Sequence, residues 1–311
     1  MAMSRLRTFS NGWRAGALAI AAALIGACLP ASDCLAYTAA GDRLFPASSV
    51  LPQIAPGDEF YNWGWTVPLA GGPVGSPNRA SNFAAVYSKT ITERLGITAV
   101  ESWFRIDRRG APALHGFQNL ETELKYLAID DHPHEFLLSL AVDREWGGTG
   151  AQQIGATRSG ATEPRLYFGK GLGDLDIGYW RPLAVTGQLG YQIGDTTSRP
   201  NLVTAGLVVE YSIPYLQSKV QTVPLPEFIR GLTPLTEVSF ATPAGRSFGA
   251  RTTLLFAPGV SYAGEGWEFL LEALVPATRA TGAGAGVRAT LHLSLDFLFP
   301  DTIGRPLLSA R

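Results

Sequence analysis

The 311-residue chain has a formal net charge of −1, only 16% of its residues are charged, and it contains 35 glycines and 21 prolines. The near-neutral balance argues against nucleic-acid binding, because proteins that bind nucleic acid usually carry a strong basic excess. The glycine and proline content argues against a helical protein and indicates many short extended segments joined by turns.

Residues 1–36 have the layout of a cleavable secretory signal. Three arginines precede an uncharged stretch whose apolar run ends at Pro30, and small residues around Ala36 suit a cleavage site. The run is short for a spanning helix, which needs about 20 apolar residues. We therefore expect export and removal of this segment. The alternative is a lipoprotein site that would leave Cys28 lipidated.

Both cysteines, Cys28 and Cys34, lie within this segment. The exported chain would then have no thiol, so that it could form neither a disulfide nor a thiolate metal site. Beyond the segment no apolar run approaches the length of a membrane helix, and a chain that crosses a bilayer would have to cross it as strands.

An N-terminal arm is expected at residues 37–57, and residues 58–299 show a succession of strand patterns. The candidate strands are 59–68, 82–92, 95–107, 117–130, 134–145, 163–170, 175–194, 201–213, 232–243, 250–262, 265–276 and 285–299. A bilayer-crossing strand needs about 9 to 11 residues, and single-chain outer-membrane barrels have even strand numbers. We predict an all-β, antiparallel up-and-down transmembrane β-barrel of about 12 strands, with 10 to 14 admissible.

Two prolines and several aromatic residues carry further expectations. Pro258 and Pro276 fall within predicted strands, where proline removes a ladder donor, so we expect local bulges there. Aromatic residues cluster near the strand ends, as membrane-interface girdles do. The alternative is that these rings fill the core of a sandwich. The clusters include Phe60, Tyr61, Trp63, Trp65, Trp103, Phe104, Tyr179, Trp180, Tyr211, Tyr215, Phe297 and Phe299.

The last predicted strand is the clearest, because apolar and polar residues alternate from Val287 to Phe299. Strands of a soluble sandwich usually run about five or six residues, so this length favours a membrane barrel. A soluble periplasmic β-sandwich is the alternative fold. Outer-membrane barrels usually finish on an aromatic residue, whereas here a tail at residues 300–311 follows Phe299.

One face of the predicted strands carries most of their ionisable residues, and we expect this face to line the barrel lumen. An acidic lumen would favour cations, because wall charges set the selectivity of a pore. A register slip of one residue would reverse the assignment. The lumen-lining candidates are Glu121, Glu123, Lys125, Asp143, Glu210, Glu237, Glu268, Glu272, Arg288, His292 and Asp296.

Motifs of catalysis and cofactor binding are not found. The sequence has no glycine-rich phosphate loop, no His-Glu-x-x-His and no Gly-x-Ser-x-Gly. His132 and His134, beside Asp130 and Asp131, are candidates for a rim metal site, but the segment is rich in turn formers and fits a solvated turn better. A histidine near a carboxylate can act as a base, yet His292 fits a lumen charge network better. We expect no enzyme, no cofactor and no metal.

Several stretches resemble a proteobacterial family of exported proteins that is grouped with the outer-membrane proteins of meta-pathway phenol degradation. The matching runs are residues 116–120 (GFQNL), 145–150 (EWGGTG), 167–174 (YFGKGLGD), 181–182 (RP), 185–191 (VTGQLGY), 210–218 (EYSIPYLQS) and 291–293 (LHL). The resemblance implies a barrel that passes aromatic or other hydrophobic compounds across the outer membrane. It brings no catalytic residues.

The leading functional hypothesis is a passive outer-membrane channel for small solutes, aromatic or hydrophobic ones among them. Its expected partners are outer-membrane lipid, the small-molecule solute and the outer-membrane assembly machinery. The alternative is a non-conducting structural or binding barrel, because ten to twelve strands leave a narrow lumen that inward side chains can fill.

Overall fold

The computed structural model describes residues 38–46, 51–69, 78–246 and 249–308, and the predicted signal segment lies outside them. Its strands are β1 (Thr38–Ala40), β2 (Arg43–Phe45), β3 (Glu59–Leu69), β4 (Asn78–Thr92), β5 (Leu95–Arg108), β6 (Ala111–Phe117), β7 (Glu121–Asp131), β8 (Phe136–Glu145), β9 (Ala161–Gly171), β10 (Leu183–Gly194), β11 (Asn201–Tyr211), β12 (Leu232–Gly245), β13 (Thr253–Gly264), β14 (Trp267–Pro276) and β15 (Gly286–Ser294).

Antiparallel pairing closes these strands into a ring. From β7 to β15 each strand pairs with the next, β15 pairs with β3, β3 with β4 and β4 with β5. β5 pairs with β6 along its second half and with β7 along its first half, so β6 and β7 share one position in the ring. The prediction of a closed, antiparallel 12-strand β-barrel is confirmed.

The two faces of the barrel wall differ as the alternation predicts. On β14, Glu268, Leu270 and Glu272 are buried, whereas Phe269 and Leu271 between them are 42% and 44% exposed. A closed ring pairs the backbone groups of its strands without leaving an edge, which is the condition for placing strands in hydrocarbon. No helix in the described ranges has the length and apolar character needed to cross a membrane.

The strand map differs from the predicted one at several places. β6 (Ala111–Phe117) was not predicted, β7 begins at Glu121 instead of residue 117, and β4 begins at Asn78 instead of residue 82. β15 stops at Ser294, and residues Leu295–Leu298 form a short helix because the Leu295 N–H donates to the Asp58 carbonyl at 2.8 Å. β10 begins at Leu183, so the start of the predicted strand 175–194 belongs to a connection. The boundary between barrel and tail therefore falls before residue 299.

The bulge expected at Pro258 is wrong. Pairing of β13 with β14 passes from Phe256–Val275 directly to Gly259–Glu272, with equal numbers of skipped residues on both strands. Proline has no N–H to donate, and the ladder is interrupted there without a change of register. Pro276 is the last residue of β14 and also needs no bulge.

Short helices occupy the connections and the segment after β15: His132–His134, Gln152–Ile154, Gly178–Trp180, Ile213–Tyr215, Leu216–Val220, Glu227–Arg230 and Leu295–Leu298.

We call the end where β3 begins and β15 stops the terminal end, and the opposite end the far end. The predicted tail is fastened at the terminal end. The Leu307 and Leu308 N–H groups donate to the carbonyls of Thr90 and Ile91 at 3.1 and 2.8 Å.

The hydrophobic core lies inside the ring, between the wall and the predicted N-terminal arm. Phe45 and Ile54 of the arm form one buried cluster with inner-wall residues of β7 to β10, among them Leu137 and Tyr167. Leu51 forms a second cluster with residues of β11, β12 and β14. The described part of the arm is therefore a plug that packs against the inner wall.

Candidate functional site

The arm crosses the lumen from one side to the other. Leu51 packs against Val208 of β11 and Leu235 of β12, whereas Pro56 lies against Gly96 of β5, on the opposite side of the ring. Between them, the Gln53 carbonyl accepts a hydrogen bond from the Lys125 ammonium of β7. The wall supplies both apolar and polar partners, so the arm is held at several points.

The arm separates two cavities. The far cavity, about 410 Å³, is lined by Trp63, Trp65, Asn82, Ser102, Phe104, Gln118, Asn119, Glu121, Glu145 and Arg288. The terminal cavity, about 210 Å³, is lined by arm residues 53 and 55–57 together with wall residues such as Leu137 and Ser294. Beside the arm, around Gln53, Tyr61 and Lys125, a third and much smaller cavity has a volume of about 10 Å³. That is room for about one water, so the arm packs closely against this part of the wall.

A charge network on β7, β8 and β9 lies beside the arm and contacts it through Lys125. Arg165 lies 2.9 Å from Glu163 and 3.5 Å from both Glu123 and Asp143. Lys125 lies 3.3 Å from Glu123, which also accepts a hydrogen bond from the Tyr167 hydroxyl at 2.5 Å. The carboxylates outnumber the cations, so the network is negative overall.

A second network joins β12, β14 and β15. The Arg288 guanidinium donates to Glu272 through Nε at 2.8 Å and through Nη2 to Glu237. All three side chains are at most 4% exposed. One guanidinium between two carboxylates leaves a formal charge of −1. A buried charge of this kind is tolerated only with such pairing, because removing an ion from water costs on the order of several kcal/mol.

The other predicted residues lie nearer the terminal end. His292 is buried with its Nε2 3.4 Å from Glu59 and its Nδ1 3.7 Å from Glu268. Glu210 is 1% exposed, and neither of its carboxylate oxygens has a hydrogen-bond partner among the described residues. Asp296 is exposed in the helix that follows β15, lines the terminal cavity and accepts a hydrogen bond from the Phe297 N–H.

Four aromatic residues expected in the membrane girdle face the lumen instead, and one of them, Tyr61 of β3, is buried beside His292. Trp63 and Trp65 of β3 and Phe104 of β5 line the far cavity, and the rings of Trp65 and Phe104 meet edge to face at 5.2 Å. Trp63 and Trp65 lie an even number of residues from the inward-facing Glu59, so strand alternation places them on the lumen face. Glu163 and Arg165, which the predicted lumen set omitted, also alternate with outward residues on β9.

At the terminal end, Arg43 joins the arm to two connections. Its guanidinium is fully buried, lies 3.2 Å from Glu135 and donates to the Pro182 carbonyl at 3.0 Å. The Tyr215 hydroxyl donates to Glu135 at 2.9 Å, and the Tyr215 ring lies 3.9 Å from the guanidinium carbon. Burial is the main cause that raises the pKa of Tyr215, and the hydrogen bond to Glu135 raises it further.

The two histidines of the turn are engaged with their own neighbours. His132 lies 2.9 Å from Asp130, and His134 lies 2.9 Å from Asp131. The His132 Nδ1 also accepts a hydrogen bond from the Gly41 N–H at 3.1 Å. Within the described ranges, no group of three or more histidine, cysteine or acidic side chains is placed to hold a metal ion.

Comparison with known proteins gives a fold. No family model matches the chain, and no curated protein matches it. The COG4313 outer membrane channel from Pseudomonas putida F1 is similar with a TM-score of 0.52 and 12% identity, over 76% of this chain and 95% of that one. The KdgM porin is similar with a TM-score of 0.46 and 11% identity, over 76% and 98%. LpxR from Salmonella typhimurium has a TM-score of 0.42 and 10% identity, over 75% and 99%.

At identities this low the likeness concerns the fold alone. The chain has the fold of an outer-membrane β-barrel.

Proposed function

We propose that this protein is an outer-membrane channel for small solutes, aromatic or hydrophobic ones among them, and that the arm holds it in a closed state. The solute path runs from the far cavity through the level of Gln53 to the terminal cavity. In this proposal the predicted lumen residues line or surround this path, and Asp296 lies at its terminal cavity. Export through the signal segment and insertion by the outer-membrane assembly machinery belong to the same proposal.

The observation that carries the proposal is the position of the arm between two cavities inside a closed ring. A barrel with a purely structural role needs no vestibule, yet the far cavity is large enough for a small organic molecule. The described residues of the arm contact the wall through side chains and form no β-ladder with it, since β1 and β2 pair only with each other. Release of the arm would therefore leave the barrel's ladder intact.

Planar-bilayer conductance of the purified full chain tests the proposal. We expect low conductance from the unchanged protein and a clearly higher one from F45A/I54A, which removes the two apolar anchors of the first core cluster. The matched control is F228A/L308A, because both residues are exposed, at 67% and 70%, and lie outside the lumen. Equal conductance from the two double variants would contradict the proposal.

A non-conducting structural or binding barrel is the second candidate, and the packing of the arm against the inner wall favours it. The same recordings decide between the two candidates. If F45A/I54A does not conduct while protease cleaves its arm readily, the arm is not the gate and the non-conducting barrel is favoured.

A further inference from the structure

The far cavity combines aromatic rings with a carboxylate that has no hydrogen-bond or ion-pair partner among the described residues. The rings of Trp63, Trp65 and Phe104 form part of its wall. Glu121 lines the same cavity, and its carboxylate makes no hydrogen bond or ion pair with any residue that the structure describes. Indole rings are the preferred faces for a cation, and a cation over such a ring gains further when it is removed from water.

The positive charge at this cavity is already neutralised. Arg288 is the one cationic residue among the described lining residues, and it is bound by both Glu237 and Glu272. Glu145, the other acidic residue of the lining, accepts a hydrogen bond from Asn119 at 2.6 Å and pairs with Arg199. An anionic ligand would therefore meet no unpaired cation there, whereas a cation would meet Glu121.

We propose that the far cavity binds a small organic cation, an ammonium or quaternary ammonium group joined to an aromatic or short alkyl body. The positive group lies against Glu121 and the indole faces, and the apolar body packs on the remaining aromatic wall. The side chains of Ser102 and Gln118 line the same space and offer oxygen acceptors to an ammonium N–H. The inference that organic cations are the solutes of the channel rests on the proposed function. The inference that the cavity binds them does not require conduction.

Isothermal titration calorimetry of the full chain in nonionic detergent tests the site. The probes are benzyltrimethylammonium, benzyl alcohol and phenylacetate, which share a benzyl body and carry a positive, a neutral and a negative group. We expect binding in that order, with phenylacetate weakest. E121Q should weaken the binding of benzyltrimethylammonium by about tenfold, because it removes the facing charge from a partly desolvated site. It should change the affinity for benzyl alcohol little.

E265Q is the matched control, because Glu265 lies in the β13–β14 turn at the terminal end and outside the cavity lining. W65F replaces the indole by a phenyl ring, which attracts cations less strongly. It should weaken binding of benzyltrimethylammonium more than binding of benzyl alcohol. Heat-dependent gel migration establishes that each variant is a folded barrel before titration.

Three results would overturn the site: phenylacetate binding as tightly as the cation, E121Q binding the cation as tightly as E265Q does, or no binding of any probe. Conductance separates this failure from failure of the channel. If F45A/I54A conducts without a preference for the cation, the channel stands and the site does not. If the cation binds but no variant conducts, the site stands and the channel does not.

Discussion

The Cδ1 atom of Ile54 in the arm lies 2.3 Å from the position that a Cβ atom would occupy on Gly169 of β9. A side chain at residue 169 would therefore force the Ile54 side chain of the docked arm to shift. The Phe45 ring lies at 3.2 Å from the same position, so one glycine admits both apolar anchors. The close packing of the arm against β9 depends on this local absence of a side chain in the wall.

Gly169→Val should displace the arm without breaking the barrel. Valine suits a strand, and the clash falls on the arm because the wall is held by ladders on both sides. We expect faster protease cleavage within the arm and higher conductance, with heat-dependent gel migration unchanged. Gly64→Val is the control, since the nearest atom to a Cβ there is 3.6 Å away. An arm as resistant in G169V as in G64V would contradict the packing described.

A disulfide between residues 56 and 96 should lock the arm in place. A Cβ on Gly96 would lie 2.8 Å from the Pro56 Cβ, and disulfides have Cβ separations of about 3.5 to 4.5 Å. A small shift of the arm away from β5 therefore suffices. In P56C/G96C we expect the bond to form, and in the F45A/I54A background to return conductance to the closed level until a reductant is added. Conductance indifferent to reductant would show that the solute path avoids this part of the arm.

Arg43→Met should destabilise the docked arm strongly, because it leaves Glu135 buried without its cation. Breaking a buried pair by removing one partner typically costs about 3 to 5 kcal/mol. R43M/E135Q should recover much of the loss, since the uncompensated charge is gone. Urea-dependent protease protection of the arm, compared with heat-dependent gel migration of the barrel, measures this difference. A double variant as weak as R43M would mean that Arg43 acts mainly through the Arg181 and Pro182 carbonyls and the Tyr215 ring.

The wall was predictable from sequence because its alternation follows from strand geometry. Period two on β14 and β15 places Glu268, Glu272, Arg288 and His292 on one face, whatever the rest of the chain does. β3 was harder, because neither of its faces is plainly apolar: Trp63 and Trp65 alternate with Asn62 and Gly64. Pairing with β15 decides the matter, since Trp65 stands opposite Arg288 and therefore shares its face.

The plug could not be predicted from the sequence. Phe45, Leu51 and Ile54 follow no strand or helix period, and their partners lie far along the chain in several strands. Such contacts depend on the shape of the closed ring. In the sequence these contacts correspond to small wall residues opposite the arm, such as Gly96 and Gly169. Such glycines do not by themselves indicate a plug, because glycine within a strand also occurs at bulges and at the tight bends of barrels.

At the far end, Asp195 and Arg144 give a prediction about pH. The Arg144 guanidinium binds both carboxylate oxygens of Asp195 at 2.6 Å, and this hydrogen-bonded pairing lowers the pKa of Asp195. A carboxyl whose pKa is lower in the folded state stabilises that state above its unfolded pKa, about 3.9, and loses the contribution as the pH falls through the folded value. Both side chains are about one third exposed, so the pair should contribute at most about 1 kcal/mol.

We therefore expect Asp195→Asn to lower the free energy of unfolding at pH 7 by up to about 1 kcal/mol, with the difference from the unchanged protein shrinking towards zero near pH 2. Urea unfolding in lipid vesicles at both pH values measures that difference. Asp176→Asn, at an exposed position of the β9–β10 connection, is the control and should change little at either pH. A deficit in D195N that persisted undiminished in acid would mean that the residue acts through its backbone or its loop rather than through its charge.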